Sequence, residues 1–540
     1  MGYVFSEIFE NILAEINKMC YNWLGVLFRF LQKERTDDIM MKRMISIALA
    51  VIMTALLLVS CGSDKETEST VALNSTAAKE NDPIIAEIDA YVNELANTYN
   101  FDGKSFTWIG SGGEAPLHEE ETGDIESDVF YFRQRDIEEK FGIDWTNYTS
   151  ESFDDSGIHP TIENVLRDVM AGTNSYDAGY GTALGVTKDL LMNGALIDVS
   201  TYDVIDLDKP WWPSRLQDTY NINGAIFFLN GPIVSSNYED TYCVMFNKQV
   251  MLDYNITGLY DEVKSGNWTF DRMFQIASVI PSNENGSGAY KYGQPNGMAI
   301  LIANGETLTK VDETGKPYID GNYSTELSDI CDRMSEIFGD DAQTVNKKGE
   351  LNANFEDLSE KYEYGSFGEM FINNKVLFHF GTTGEACELR REEVEFGIVP
   401  MPKKDTDQEN YISYAKNWFN VFVPKSTKDE AVTDVIVEAM AALGLKYIKP
   451  AYYDNILKSR SIYDSESRDM IDLIFETKTY DLIDYLAPDG SQNDDSHFVN
   501  IIKTAIQESS AGIASKYKLQ ARVVNNNIAN ILTAIEKARG

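Results

Sequence analysis

The stretch Val165–Ser200, VLRDVMAGTNSYDAGYGTALGVTKDLLMNGALIDVS, decides the fold class. Apolar residues at helical spacing run over 162–171 and stop at Ala171-Gly172, a short β-prone run follows at 176–181, and helical spacing returns over 184–193. Working outward toward the N-terminus, a strand is expected at 105–109, a helix at 129–141 and a strand at 143–148. Before them, Asp82-Pro83 offers an N-cap and a first-turn proline for a helix to about residue 96, with Ile84, Ile85, Ile88, Val92 and Leu95 on one face. Strands separated by helices argue for an α/β layer with a mostly parallel sheet. Ligands of such sheets bind at the carboxyl ends of the strands. That rule singles out Gly110-Ser111-Gly112-Gly113-Glu114 after the first strand and Gly181-Thr182-Ala183 after the third.

Upstream, Lys42-Arg43, an apolar run from Met44 to Val59 broken by Ser46 and Thr54, and Leu58-Val59-Ser60-Cys61 form the three regions of a secretory signal. The run is shorter than the roughly 20 residues that span a bilayer, so cleavage is expected rather than a membrane helix. Residues 40–60 resemble a bacterial lipoprotein signal, which implies that Cys61 becomes the first mature residue and carries lipid on its sulfur. The expected location is therefore the extracellular face of the bacterial membrane. Residues 1–39 read as an extension from a start codon called too early; residues 12–31 have the spacing of an amphipathic helix, to which no function is assigned. Residues 61–81, rich in Ser, Thr, Lys and Glu, read as a flexible tether with an r.m.s. reach of roughly 25 Å.

The six basic and six acidic residues up to position 61 cancel, so the rest of the chain carries the whole net charge of −40. Such a chain repels phosphate backbones, which argues against nucleic-acid binding. Cys243, Cys331 and Cys387 are odd in number and far apart, so no disulfide framework is indicated. His118, His159, His379 and His497 show no metal-ligand spacing, and neither metal nor cofactor is expected. Gly103-Lys104-Ser105 resembles the end of a phosphate-binding loop, but Thr98 stands where the first glycine is needed. The glycines after Ile109 fit a relaxed dinucleotide fingerprint, yet Pro116 and Glu119-Glu120-Glu121 follow where a helix should receive pyrophosphate. Residues 489–495 are rich in oxygen ligands but lack the EF-hand register and its terminal glutamate.

Several fragments, in order, carry a family resemblance: RDIEEKFGIDWTNY (135–148), the opening stretch, DKPWW (208–212), NINGAIFFLNGPI (221–233), TYCVMFNK (241–248), SGNWTFDRM (265–273), VEFGIVPMPK (394–403) and KPAYYDNILKSRSIYDSESRDMIDLI (449–474). Together they resemble the extracellular solute-binding proteins of the carbohydrate-type ABC importers. The resemblance implies a two-lobed, periplasmic-binding-protein-like α/β fold of type II, hinged between lobes, with lobe one at 82–237 plus 410–445 and lobe two at 238–409 plus 446–540. It places chain crossings near 237–241 and 404–411. It further implies a monomer that closes on a carbohydrate, an oligosaccharide by expectation, and docks on an ABC permease.

Cleft positions follow from that topology: Ser111, Gly112 and Glu114; Gly181 and Thr182; Asn237, Tyr238 and Glu239 at the first crossing; Thr382, Thr383 and Glu385 after a strand at 376–380; and Tyr414, Asn417 and Trp418 after the second crossing. Trp211 could stack on a sugar, although family-like position suggests packing within lobe one, and Trp268 reads as core beside the N-cap Thr269. The charged pair that some maltose-type members carry after the first strand is here Ser111-Gly112, which argues against a maltodextrin ligand. Two rivals keep the same anchor: a secreted glycoside-active enzyme, which would need two carboxylates at fixed separation, and a glycan sensor without a permease. The acidic balance disfavours anionic sugars.

Overall fold

The computed structural model describes residues 83–111, 121–123, 125–150, 160–283, 288–293, 295–339, 343–345, 366–389, 392–416, 419–458, 465–486, 498–508 and 512–539. The signal, Cys61, the tether, Gly112, Glu114, Asn417, Trp418, three of the histidines (118, 159, 497) and the oxygen-rich run at 489–495 lie outside them. All described residues belong to one compact unit, Leu73–Gly540.

Helix α1 (Pro83–Thr98) buries Ile85, Ile88 and Val92, the face read from the sequence. Strand β1 (Lys104–Ser111), helix α2 (Ile125–Phe141), β2 (Ile143–Ser150), α3 (Pro160–Ala171) and β3 (Ala178–Thr182) follow in the predicted order. Strand β1 pairs in parallel with both β2 and β3. The expected helix at 184–193 is instead one α-turn, Ala183–Gly185, continued by a wider π-turn, Val186–Leu191. Its wider hydrogen bonds, such as Met192 N–H to the Thr187 carbonyl at 3.1 Å, turn Val186, Thr187, Leu190 and Leu191 inward together.

The chain then passes through a short helix, α4 (Ser236–Glu239), into a second sheet. Strand β4 (Tyr242–Asn247) is central there, with β5 (Tyr290–Tyr292), β8 (Val376–Thr382) and β9 (Phe396–Val399) in the order β5-β8-β4-β9. A separate hairpin joins β6 (Thr309–Val311) to β7 (Pro317–Ile319). Helices α5 (Gly297–Ala303) and α6 (Thr325–Phe338) share one large core with this sheet, while α7 (Phe367–Ile372) and α8 (Thr383–Leu389) contribute to a smaller one with Met245 and Phe396.

Two short strands bring the chain back: β10 (Ser413–Tyr414), then β11 (Phe419–Phe422), which adds to the first sheet antiparallel to β3 and gives the order β11-β3-β1-β2. Gly181 answers to packing here, because a Cβ on it would lie 2.8 Å from Ile162 Cδ1 and 3.3 Å from the Phe422 ring. Helix α9 (Glu430–Lys458) packs its first half, Val432 to Leu443, into the lobe-one core. Its second half, from Ile448 to Tyr452, sits against Tyr238 at the crossing. Pro450 inside it cannot donate to the preceding turn. Helix α10 (Ser465–Glu476), β12 (Lys478–Thr479), α11 (Phe498–Glu508) and α12 (Ile513–Arg539) complete the second lobe. Arg539 then reaches back to lobe one, pairing with Asp198 at 2.8 Å and donating to the carbonyls of Asn223 and Gly224.

Candidate functional site

Three passages of chain run side by side between the lobes. Thr241 bridges Ala415 in antiparallel fashion, and the Lys416 N–H donates to the Asp240 carbonyl at 3.1 Å. On the other side β10 pairs in parallel with β12, with Ala415 N–H on the Thr479 carbonyl at 2.9 Å. The result is a narrow three-stranded ribbon between two larger sheets, in which β10 pairs with β12 and meets the first crossing through the bridge at Thr241. The second crossing thus shows its bonds to the first at Ala415 and Lys416, where the expectation placed it near 404–411.

The predicted crossing residues fall in and around this ribbon. Asn237 and Tyr238 are buried, and Glu239 and Asp240 are half-buried. Tyr238 stacks on Tyr452 at 5.8 Å and meets Phe475 edge-on at 5.9 Å. Its carbonyl accepts the Thr383 hydroxyl, and Thr383 N–H donates to the Thr241 carbonyl at 2.9 Å, so Thr383 ties α8 to crossing one.

The carboxyl end of β8 carries Thr382 and, one turn on, Glu385. Thr382 Oγ1 accepts the Glu385 N–H at 3.2 Å, the capping bond that the first turn of a helix needs. Glu385 Oε1 lies 2.7 Å from His379 Nε2. Burial acts to raise the Glu385 carboxyl, but the His379 imidazole and a backbone bond at Thr382 hold it below the usual carboxylate range. The half-exposed group is thereby kept as an ionised acceptor. Tyr414 is buried and lies parallel to half-buried Tyr242 at 5.7 Å, whose hydroxyl accepts from Asn296 Nδ2 at 2.9 Å.

On the lobe-one side Ser111 ends β1 opposite Ser150, and buried Thr182 accepts from the Gly185 N–H at 3.3 Å. Trp211 stands apart from all of these, 1 % exposed within lobe one. Its indole N–H and that of Trp212 each donate to Glu438 at 2.8 Å, one to each carboxylate oxygen, and Tyr91 adds its hydroxyl at 3.2 Å. Burial pushes the Glu438 carboxyl up to about 7. Trp268 is likewise interior, donating to the Pro400 carbonyl at 2.9 Å, beside a capping Thr269.

Tyr242, Lys416 and Lys478 belong to the crossings or the adjoining strand ends, His379 lies within β8 and Asn296 caps α5, and none carried a motif that sequence reading could find. Among the described residues no group of His, Cys, Asp and Glu side chains is placed to hold a metal ion. A cavity of about 420 Å³, lined by Phe246, Met251, Leu252, Tyr260 and Glu466, lies at the opposite end of β4 from the crossings. Among the same residues no helix is long and apolar enough to cross a membrane.

No family model matches the sequence, and no curated protein sequence matches it. Solved structures do. The sugar-binding protein MalE from Xanthomonas citri superposes with a TM-score of 0.52 at 11% identity, over 80% of this chain and 99% of that one. A sugar transporter from Rhizobium etli in an open conformation gives 0.52 at 12% identity, over 77% of this chain and 99% of that one. At such identity the likeness speaks to architecture: the chain has the two-lobed α/β fold of periplasmic solute-binding proteins, with its lobes joined through the ribbon described above.

Proposed function

We propose that this protein captures a carbohydrate, an oligosaccharide in preference, between its lobes and delivers it to an ABC permease, while lipid on Cys61 holds it at the outer face of a bacterial membrane. The observation that carries the reading is the ribbon linking two sheets, with the half-exposed Thr382 and Glu385 at the carboxyl end of β8 facing out from the second. A ligand held by both walls favours the closed arrangement because only there does it make both sets of contacts. Thr382, Glu385, Glu239 and Ser111 are the proposed hydroxyl-binding groups, with Gly112, Glu114, Asn417 and Trp418 as further members. That the two structural neighbours are sugar-binding or sugar-transport proteins supports the ligand class.

The test is incubation of the purified protein with a panel of neutral and uronic-acid-containing oligosaccharides. A thermal shift without new reducing ends is expected; new reducing ends would make it a glycoside-active enzyme, and no shift with any sugar would sink carbohydrate capture. Glu385→Gln should lower affinity for the best binder about tenfold, equivalent to ~1.4 kcal/mol, as read by calorimetry. Radiolabelled palmitate should enter the wild-type chain but not Cys61→Ala.

A further inference from the structure

Lys478 sits where the passages between the lobes meet. Its backbone belongs to the ribbon through β12, yet its side chain leaves the ribbon and reaches α4, where Nζ donates to the Asn237 carbonyl and lies 3.5 Å from Asn237 Oδ1. Phe475 and Tyr238 present ring faces at 4.6 and 5.5 Å. This side chain therefore ties the ribbon to α4 as well, beyond the backbone bonds the ribbon already makes with Asp240 and Thr241.

An ammonium enclosed in this way loses its hydration and regains one residue's oxygens and two aromatic faces, less than water supplies. Burial pushes Lys478 down to about 7, with Asp240 on crossing one acting to raise it and Lys449 on α9 acting to lower it. Around it, β10 contributes Ser413 and Tyr414, α10 contributes Phe475, and Arg215 donates to Lys478's own carbonyl at 3.0 Å.

We infer that Lys478 is a proton-operated pin of the hinge: neutral, it locks the ribbon to α4 through Asn237, and on taking up a proton it favours a rotated hinge in which the ammonium meets water or Asp240. A protein of this kind would hold its lobes more tightly in alkaline than in acidic surroundings. The inference goes beyond ligand capture and holds whatever occupies the cleft.

Small-angle scattering of the protein without added sugar tests it at about pH 5.5 and about pH 9, on either side of neutrality and below the ordinary lysine range. The wild type should show a reversible shift to a larger radius at the lower pH, and Lys478→Met should show the same radius at both. A wild-type radius that ignores pH, or a shift that persists in the Met variant, overturns the pin. Should the variant fail to fold, wild-type protein labelled with [ε-13C]lysine decides: one resonance titrating near neutrality is expected, and lysines that all titrate above about 10 overturn it. Neither measurement involves a sugar, so failure here and failure of carbohydrate capture are separate results.

Discussion

At the scale of single residues, the least conventional group is Glu438. It lies wholly inside lobe one and accepts from Trp211, Trp212, Tyr91 and the Asp206 backbone, an array of donors suited to a carboxylate, while burial opposes the charge. Burial wins, and the carboxyl is raised to about 7. Its unfolded value is near 4.3, so between about pH 4.3 and 7 the folded state binds more protons than the unfolded one. The stability it contributes is therefore complete below about pH 4.3 and lost as pH rises through about 7. Glu438→Gln should flatten that part of the stability-against-pH curve in urea titrations. It should also cost about 1–3 kcal/mol, because an amide NH2 would face an indole N–H. Trp211 shows the limit of sequence reading: a tryptophan in a loop fits both a sugar platform and a core, and only its contact with Glu438, far along the chain, puts it inside.

At the scale of elements, helix α9 joins the lobes and does so under a tight steric condition. Gly444 passes so close to the lobe-one segment ahead of crossing one that a Cβ there would lie 2.1 Å from the Pro232 carbonyl oxygen, a backbone atom that cannot swing aside. Gly444→Ala should cost about 1–3 kcal/mol by overpacking, measured by urea unfolding, whereas Gly321→Ala, half-buried but with nothing near its Cβ, should be within about 0.5 kcal/mol of wild type. In lobe one β3 is buried along its length and β2 alternates buried and exposed residues, both patterns legible in sequence, and the helices were legible because each buries a stripe. The π-turn at Val186–Leu191 was not, since an α-turn and a π-turn share almost the same local pattern and only packing against α3 selects between them.

At the scale of the whole molecule, the lobes are held together by the ribbon, by α9, by the buried contact of the Tyr220 and Tyr485 hydroxyls, and by Arg539, the last described residue, closing α12 onto Asp198. Asp198 is almost fully buried and also accepts from Ser200 and the Ile226 N–H, so removing its cation leaves a buried charge with neutral partners only. Arg539→Ala should therefore cost about 1–3 kcal/mol in urea unfolding. It should also speed hydrogen exchange in α12; unchanged exchange there would mean that the contact does not hold the helix. What the sequence determined by itself was whatever depends on neighbours in the chain: the α/β alternation, the order of the lobe-one elements, the cap at Thr269, the acidic balance and the strand ends where polar residues gather. Which of those residues meet was decided by the tertiary structure alone. Lys478 on Asn237, Glu438 between two tryptophans and Arg539 on Asp198 each join positions hundreds of residues apart. Their energies come from burial and desolvation, which have no signature in local spacing because they exist only once the chain has closed on itself.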